Sequence, residues 1–125
     1  MINYKTLEKL AEIFEKDNDI TVIIRNSLAD FHKYHSAIYE MEQFVRFRDK
    51  DIPPEQFREK VSALDGARTR CHNCVLSDIK ILNKLALQSG LSPVYEGTVS
   101  AEQPYRREVA DAVLEYVYKV IKERV

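Results

Sequence analysis

The sequence is poor in the residues that interrupt helices or cross-link a fold. Its 125 residues include three glycines, four prolines, two cysteines and no tryptophan. So few glycines and prolines leave little material for turns, which favours a small number of long elements. Two cysteines cannot build the disulfide framework of a small extracellular domain, so we expect a reducing, cytoplasmic location.

A charge excess and a long apolar run are also missing. The 19 basic and 20 acidic residues give a net charge of −1, so the whole chain has no electrostatic preference for nucleic acid. The densest apolar run, residues 20–24, is too short to cross a bilayer, and the amphipathic N-terminal stretch carries acidic residues unlike a targeting peptide. We therefore expect neither a membrane nor a nucleic-acid partner. The composition is that of one globular domain over residues 1–125.

The longest helical pattern covers residues 54–89. Pro54 suits a first helical turn because its missing N–H is not needed there, and Gly90 suits the C-terminal cap. Asp65-Gly66 could kink this helix or split it. Apolar residues recur along one face at steps of three and four: Phe57, Val61, Leu64, Ala67, Cys71, Val75, Ile79, Leu82 and Leu85.

The same periodicity predicts three further helices, over about residues 4–16, 20–48 and from residue 100 to the end. Asn3, Asp17 and Ser100 are polar residues of the kind that cap helix N-termini. The β-branched run at residues 20–24 would also suit a strand, but no second strand-like run exists to pair with it.

The second and third predicted helices form an antiparallel hairpin, because the charged turn at residues 48–54 ends in two prolines. Residues 91–100 are expected to be irregular and to pack on the helices through Leu91, Val94 and Tyr95. The predicted fold class is therefore all-α, a four-helix bundle-like domain with a long central antiparallel helix hairpin.

The histidines and cysteines of the chain are predicted to lie at one level of the hairpin. Folding the hairpin at Pro53 sets His32 opposite Cys74 and His35 opposite Cys71, and two imidazoles with two thiolates form a ligand set that zinc accepts. The alternative is that Cys71 and His35 are core residues, since free cysteine behaves as a small hydrophobe. The Cys-x-x-Cys spacing lies within a helix with no strand before it, unlike a thioredoxin-type motif. We expect no cofactor, with zinc as the alternative.

Arg25-Asn26 followed by His32 resembles the Arg–polar…His motif of HEPN-type ribonuclease domains, which are small helical bundles. Seven residues are two helical turns, so Arg25 and His32 share a face. The resemblance implies that Arg25 contacts an RNA phosphate and that His32 transfers a proton.

Four short stretches resemble small bacterial all-helical proteins with no assigned function: His72-Asn73, residues 82–85, residues 90–93 and residues 106–111. The resemblance covers about the C-terminal half and implies a fold more than an activity. It gives weight to a surface His72-Asn73 pair beside Arg68 and Arg70, which could bind an anion. The interpretation we favour is that the pair only bonds to residues 91–100.

No complete catalytic set, phosphate-binding loop or basic stripe is present in the sequence. We therefore predict a non-catalytic interaction or regulatory module that binds a protein partner or itself. A His2Cys2 metal site and a HEPN-like ribonuclease domain remain the alternatives.

Overall fold

The structure is a computed structural model that describes residues 1–97 and 106–124. Within those ranges it contains four α-helices and no strand: α1 (Tyr4–Ile13), α2 (Asn18–Arg46), α3 (Pro54–Gln88) and α4 (Arg106–Arg124). The all-α prediction is confirmed. None of the described helices combines the length and the apolarity that a bilayer crossing demands. The predicted cap at Ser100 lies outside the described residues.

The turn between α1 and α2 explains why α1 is shorter than predicted. The carbonyl of Phe14 accepts hydrogen bonds from the Asp17 N–H and from the Thr21 hydroxyl, both at 3.0 Å. The chain therefore turns at residues 14–16, and α1 ends at Ile13. Asp17 then caps α2 by accepting the N–H of Ile20 at 3.2 Å.

The start of α1 and both ends of α3 follow the sequence prediction. Asn3 caps α1 by accepting the Thr6 N–H at 3.1 Å. Pro54 is the first residue of α3, and Gly90 beyond its end has a φ of 69°, a left-handed conformation that glycine adopts without strain. α3 is one unbroken helix, so Asp65-Gly66 does not split it.

α4 lies antiparallel to α2 and covers it from Ile24 to Ile38. Tyr116 packs edge-on against Phe31 with ring centroids 5.9 Å apart, while Leu114 and Arg107 lie near Ile38. α1 joins this end, and the four helices enclose one apolar core. Its fully buried members include Leu10, Phe31, Tyr34, Val75, Ile79, Leu82, Val109, Val113 and Val117.

Residues 91–97 are attached to this bundle, as predicted. The side chain of Asn83 on α3 bonds both backbone groups of Tyr95, accepting its N–H and donating to its carbonyl at 3.0 Å each. The carbonyl of Val94 accepts the N–H of Asn3 at 2.7 Å. Both Val94 and Tyr95 are buried, so the segment extends the core.

The far half of the α2–α3 hairpin, residues 36–63, is different. No residue in this range, here called the arm, is buried. Its two helices are joined by the stacked rings of Phe44 and Phe57, whose centroids are 5.5 Å apart. The guanidinium of Arg48 lies 4.8 Å from the Phe57 ring centroid. The arm thus depends on a few aromatic contacts instead of a core.

Candidate functional site

The four predicted zinc ligands do not form one cluster. The ring of His35 packs edge-on against Tyr118 of α4, with centroids 4.7 Å apart, and Cys74 is exposed. Over residues 1–97 and 106–124, no group of three or more His, Cys, Asp and Glu side chains could hold a metal ion. Zinc binding by His32, His35, Cys71 and Cys74 stays a prediction, which the metal content of untagged protein would test.

The environment of Cys74 favours its neutral thiol. Partial desolvation raises the pKa of the Cys74 thiol, and the neighbouring acidic residues Asp30 and Asp78 raise it further, while Lys33 lowers it. Metal binding and disulfide exchange both use the thiolate. The surroundings of Cys74 therefore oppose the chemistry that the Cys-x-x-Cys spacing would suggest.

Arg25 and His32 lie on α2, where Arg25 is exposed and His32 is partly buried. Neither residue lines the polar cleft or the apolar groove described below. A ribonuclease role for this pair stays a prediction.

Polar side chains meet in a cleft of about 410 Å³ between α2, α3 and α4. We call this the polar cleft, and its polar lining consists of Tyr34, Arg68, Thr69, His72, Arg107 and Asp111. The ring of His72 lies 5.5 Å from that of Tyr34, centroid to centroid. His72 is only 5% exposed, so the predicted surface position is wrong. It takes a core-facing position on α3 that the apolar pattern assigned to Cys71, which is only partly buried.

The guanidinium of Arg68 is fixed at one wall of the polar cleft. Its Nε and Nη2 atoms donate to Asp65 Oδ1 at 3.0 and 2.8 Å. Burial raises the pKa of Tyr34, and the neighbouring Arg68 cation partly offsets that rise. A guanidinium has five N–H groups, so Arg68 keeps donors for a further acceptor.

Only two of the four predicted anion-binding residues, Arg68 and His72, line the polar cleft. Arg70 and Asn73 are exposed and lie outside it, and the Arg70 side chain folds back along α3 toward Gly66. This separation follows from helix geometry, because positions two apart point to different faces.

The sequence prediction missed Arg107 and Asp111, which line the polar cleft from α4. Their spacing of four residues places both on one face of α4, and this was the available signal. The spacing does not show which neighbouring helices that face packs against, because this depends on the tertiary structure.

An apolar groove continues from the polar cleft along the arm. This groove has a volume of about 700 Å³ and shares Ile38 and Arg68 with the cleft. Its apolar residues are Ile38, Met41 and Val45, and its charged residues are Glu42, Arg46, Asp65 and Arg68. Among the described residues, the lining of the groove comes from α2 and α3.

Asp30 and Asp78 form a carboxyl pair between α2 and α3. Asp78 Oδ2 is buried, and no donor among the described residues reaches it. Burial, followed by the hydrogen bond and the charge of Asp30, raises the pKa of Asp78 to about 8. At neutral pH Asp78 therefore keeps its proton and donates a hydrogen bond to Asp30.

The chain belongs to a family of proteins of unknown function, DUF3232, whose model matches residues 2–124. No curated protein and no solved structure matches the chain. The predicted resemblance to small proteins without an assigned function is thus confirmed. The function of this family is unknown, so the geometry of the cleft and the groove is the basis for a functional proposal.

Proposed function

We propose that this member of the DUF3232 family is a non-catalytic interaction module that self-associates through the apolar groove of its arm. The observation that carries the proposal is that residues 36–63 contain no buried side chain. Val45 lines the groove and is 45% exposed, and Phe47 at the end of α2 is 70% exposed. Exposed apolar side chains along a groove are typical of protein-binding sites.

The packing in the bundle half of the same hairpin indicates that the groove suits a helix. There, Val109, Val113 and Val117 of α4 are fully buried against α2 and α3. The groove begins where the cover of α4 ends, since Ile38 lines both the cleft beside α4 and the groove. A helix from another molecule can therefore extend the packing that α4 makes within the chain.

The charges beside the groove favour a second copy of the chain as the partner. A two-fold interface is formed by the same patch on both subunits, so any charge in the patch has to be matched by an opposite charge in the same patch. Glu42 and Arg46 supply opposite charges on α2. Asp65 and Arg68 already pair within the subunit, with Arg68 Nη2 2.8 Å from Asp65 Oδ1. The groove therefore carries balanced charge.

An antiparallel arrangement of two α2 helices satisfies these charges. With the two-fold axis near residue 44, Glu42 of one copy faces Arg46 of the other, and the pair occurs twice. The same register sets Met41 against the exposed Phe47 of the second copy. The contact is small, so the dimer is expected to dissociate on dilution.

A matched pair of valine variants tests the location of this interface. Val45→Lys places a charge in the groove, and Val22→Lys places the same charge on the same helix at a site that is 46% exposed and lies outside the groove. Sedimentation equilibrium is expected to show at least tenfold weaker self-association for Val45→Lys and unchanged association for Val22→Lys. A wild-type protein that stays monomeric up to millimolar concentration would contradict the proposal.

Charge reversal tests the register. Glu42→Arg and Arg46→Glu are each expected to weaken the dimer, because each sets two like charges against each other twice. The double variant restores both pairs and is expected to recover wild-type association. If the double variant is as weak as the single variants, the antiparallel register is wrong.

A further inference from the structure

The polar cleft has an excess of hydrogen-bond donors over acceptors. Arg68, Arg107, Thr69 and the Tyr34 hydroxyl can all donate into it, whereas Asp111 is the one carboxylate among the described residues that line it. The two guanidinium groups come from different helices, α3 and α4. The described lining of the cleft therefore carries one arginine on each of two helices and one carboxylate.

The two arginines have different freedom. Arg68 is held in place by Asp65 through two hydrogen bonds, at 3.0 and 2.8 Å, and is the preorganised group. Arg107 is exposed, and it has no ion-pair partner within residues 1–97 and 106–124. A guanidinium pair of this kind suits a carboxylate, which accepts two parallel N–H bonds from one arginine.

The remaining lining narrows the ligand class. Ile38 and Leu114 give the cleft an apolar side, so an organic ligand fits better than a bare inorganic ion. Asp111 can accept a hydrogen bond from the ligand and repels a second negative charge, so it disfavours a dianion such as phosphate. A volume of about 410 Å³ is that of a small-molecule site.

We infer that the polar cleft binds a small organic monocarboxylate that carries a hydroxyl or amino group. Arg68 and Arg107 bind the carboxylate, and Asp111 accepts the hydrogen bond of the hydroxyl or amino group. Tyr34 and His72 form the buried wall behind the ligand. This inference does not require self-association: Arg68 lines both the cleft and the groove, but Arg107 and Asp111 lie outside the groove.

Titrations followed by amide NMR test the ligand class with four probes: acetate, lactate, alanine and inorganic phosphate. Lactate and alanine are expected to shift the signals of Thr69, His72 and Ala110 saturably at millimolar concentration. Acetate, which lacks the donor, is expected to bind several-fold more weakly, and phosphate more weakly still.

Three variants separate a built site from nonspecific charge. Arg107→Gln is expected to weaken lactate binding at least tenfold. Arg70→Gln removes an exposed arginine two residues from Arg68 but outside the cleft, and it is expected to leave lactate binding unchanged. Asp111→Asn is expected to reduce the preference for lactate over phosphate, because the carboxylate that repels the dianion is gone.

Several results would overturn the inference. These are an absence of saturable shifts with lactate and alanine, equal losses in Arg107→Gln and Arg70→Gln, or tighter binding of phosphate than of lactate. Signals that shift at residues 41–46 but not in the cleft would also overturn it, since they would report the groove. The outcome is independent of the dimer test, which uses Val45 and Glu42.

Discussion

The two halves of the α2–α3 hairpin have similar apolar spacing and opposite burial. In the bundle half, Phe31 on α2 and Val75 on α3 are fully buried beneath α1 and α4. In the arm, Met41 and Val61 occupy equivalent helical positions and are only partly buried. The difference in burial comes from the helices that cover each half and not from the apolar spacing, because α4 covers only the bundle half.

This comparison shows that one amphipathic helix can serve two purposes. Where another helix of the chain covers its apolar face, that face stabilises the fold. Where no described helix covers it, the same kind of face is available to a partner. The polar cleft lies at the boundary, at the N-terminal end of α4.

The largest expected effect is a difference in stability between two phenylalanines. Phe31→Ala removes a ring that is 0% exposed and packs on Tyr116, so it is expected to lower the free energy of unfolding by about 3–5 kcal/mol. Phe57→Ala removes the stack with Phe44 and the Arg48 contact, and about 1 kcal/mol is expected. Urea denaturation measures both values. Equal losses would mean that the arm belongs to the cooperative core.

Most of the fold could be predicted from the sequence because its determinants are local. The spacing of apolar residues, the capping residues Asn3 and Asp17, and the prolines before α3 act within one or two helical turns. The end of α1 was placed too late because a tertiary hydrogen bond, from Thr21 to the Phe14 carbonyl, favours the turn.

The candidate site was less predictable because its residues come from three helices. Periodicity identifies a face but not the neighbour of that face, so Arg107 could not be assigned to the same cleft as Arg68. The burial of His72 instead of Cys71 also depends on tertiary structure, because it follows from how α3 packs against Tyr34. The Asp30–Asp78 pair depends on the hairpin register in the same way.

A smaller expected effect concerns residues 91–97, the segment that packs on the bundle half. Asn83→Ala removes two hydrogen bonds that attach residues 91–97 to α3, and a loss of about 1–3 kcal/mol is expected. Asn26→Ala removes an exposed asparagine from α2 and is expected to change the stability by less than about 0.5 kcal/mol. Hydrogen exchange should show faster exchange at Val94 and Tyr95 in Asn83→Ala. Unchanged exchange there would mean that packing alone holds the segment.

The smallest expected effect concerns the pH dependence of stability at Asp78. Its pKa rises from the ordinary value of 3.8 to about 8 in the folded chain, so between these values the folded state holds one more proton than the unfolded state. The stabilising contribution of this proton is therefore complete below about pH 4 and is lost as the pH rises to about 8. Asp30 faces the group, with Lys33 and Cys74 nearby.

Asp78→Asn isolates this contribution, because an amide donates to Asp30 at every pH. At pH 8 the variant is expected to melt a few degrees above the wild type, a modest gain because Asp78 is partly exposed. At pH 5, where the wild-type carboxyl is protonated, the difference is expected to shrink toward zero. Asp51→Asn, at an exposed aspartate in the turn of the arm and outside the pair, is the control substitution. A gain at Asp78 that is equal at pH 5 and pH 8 would show that the carboxyl pair does not share a proton.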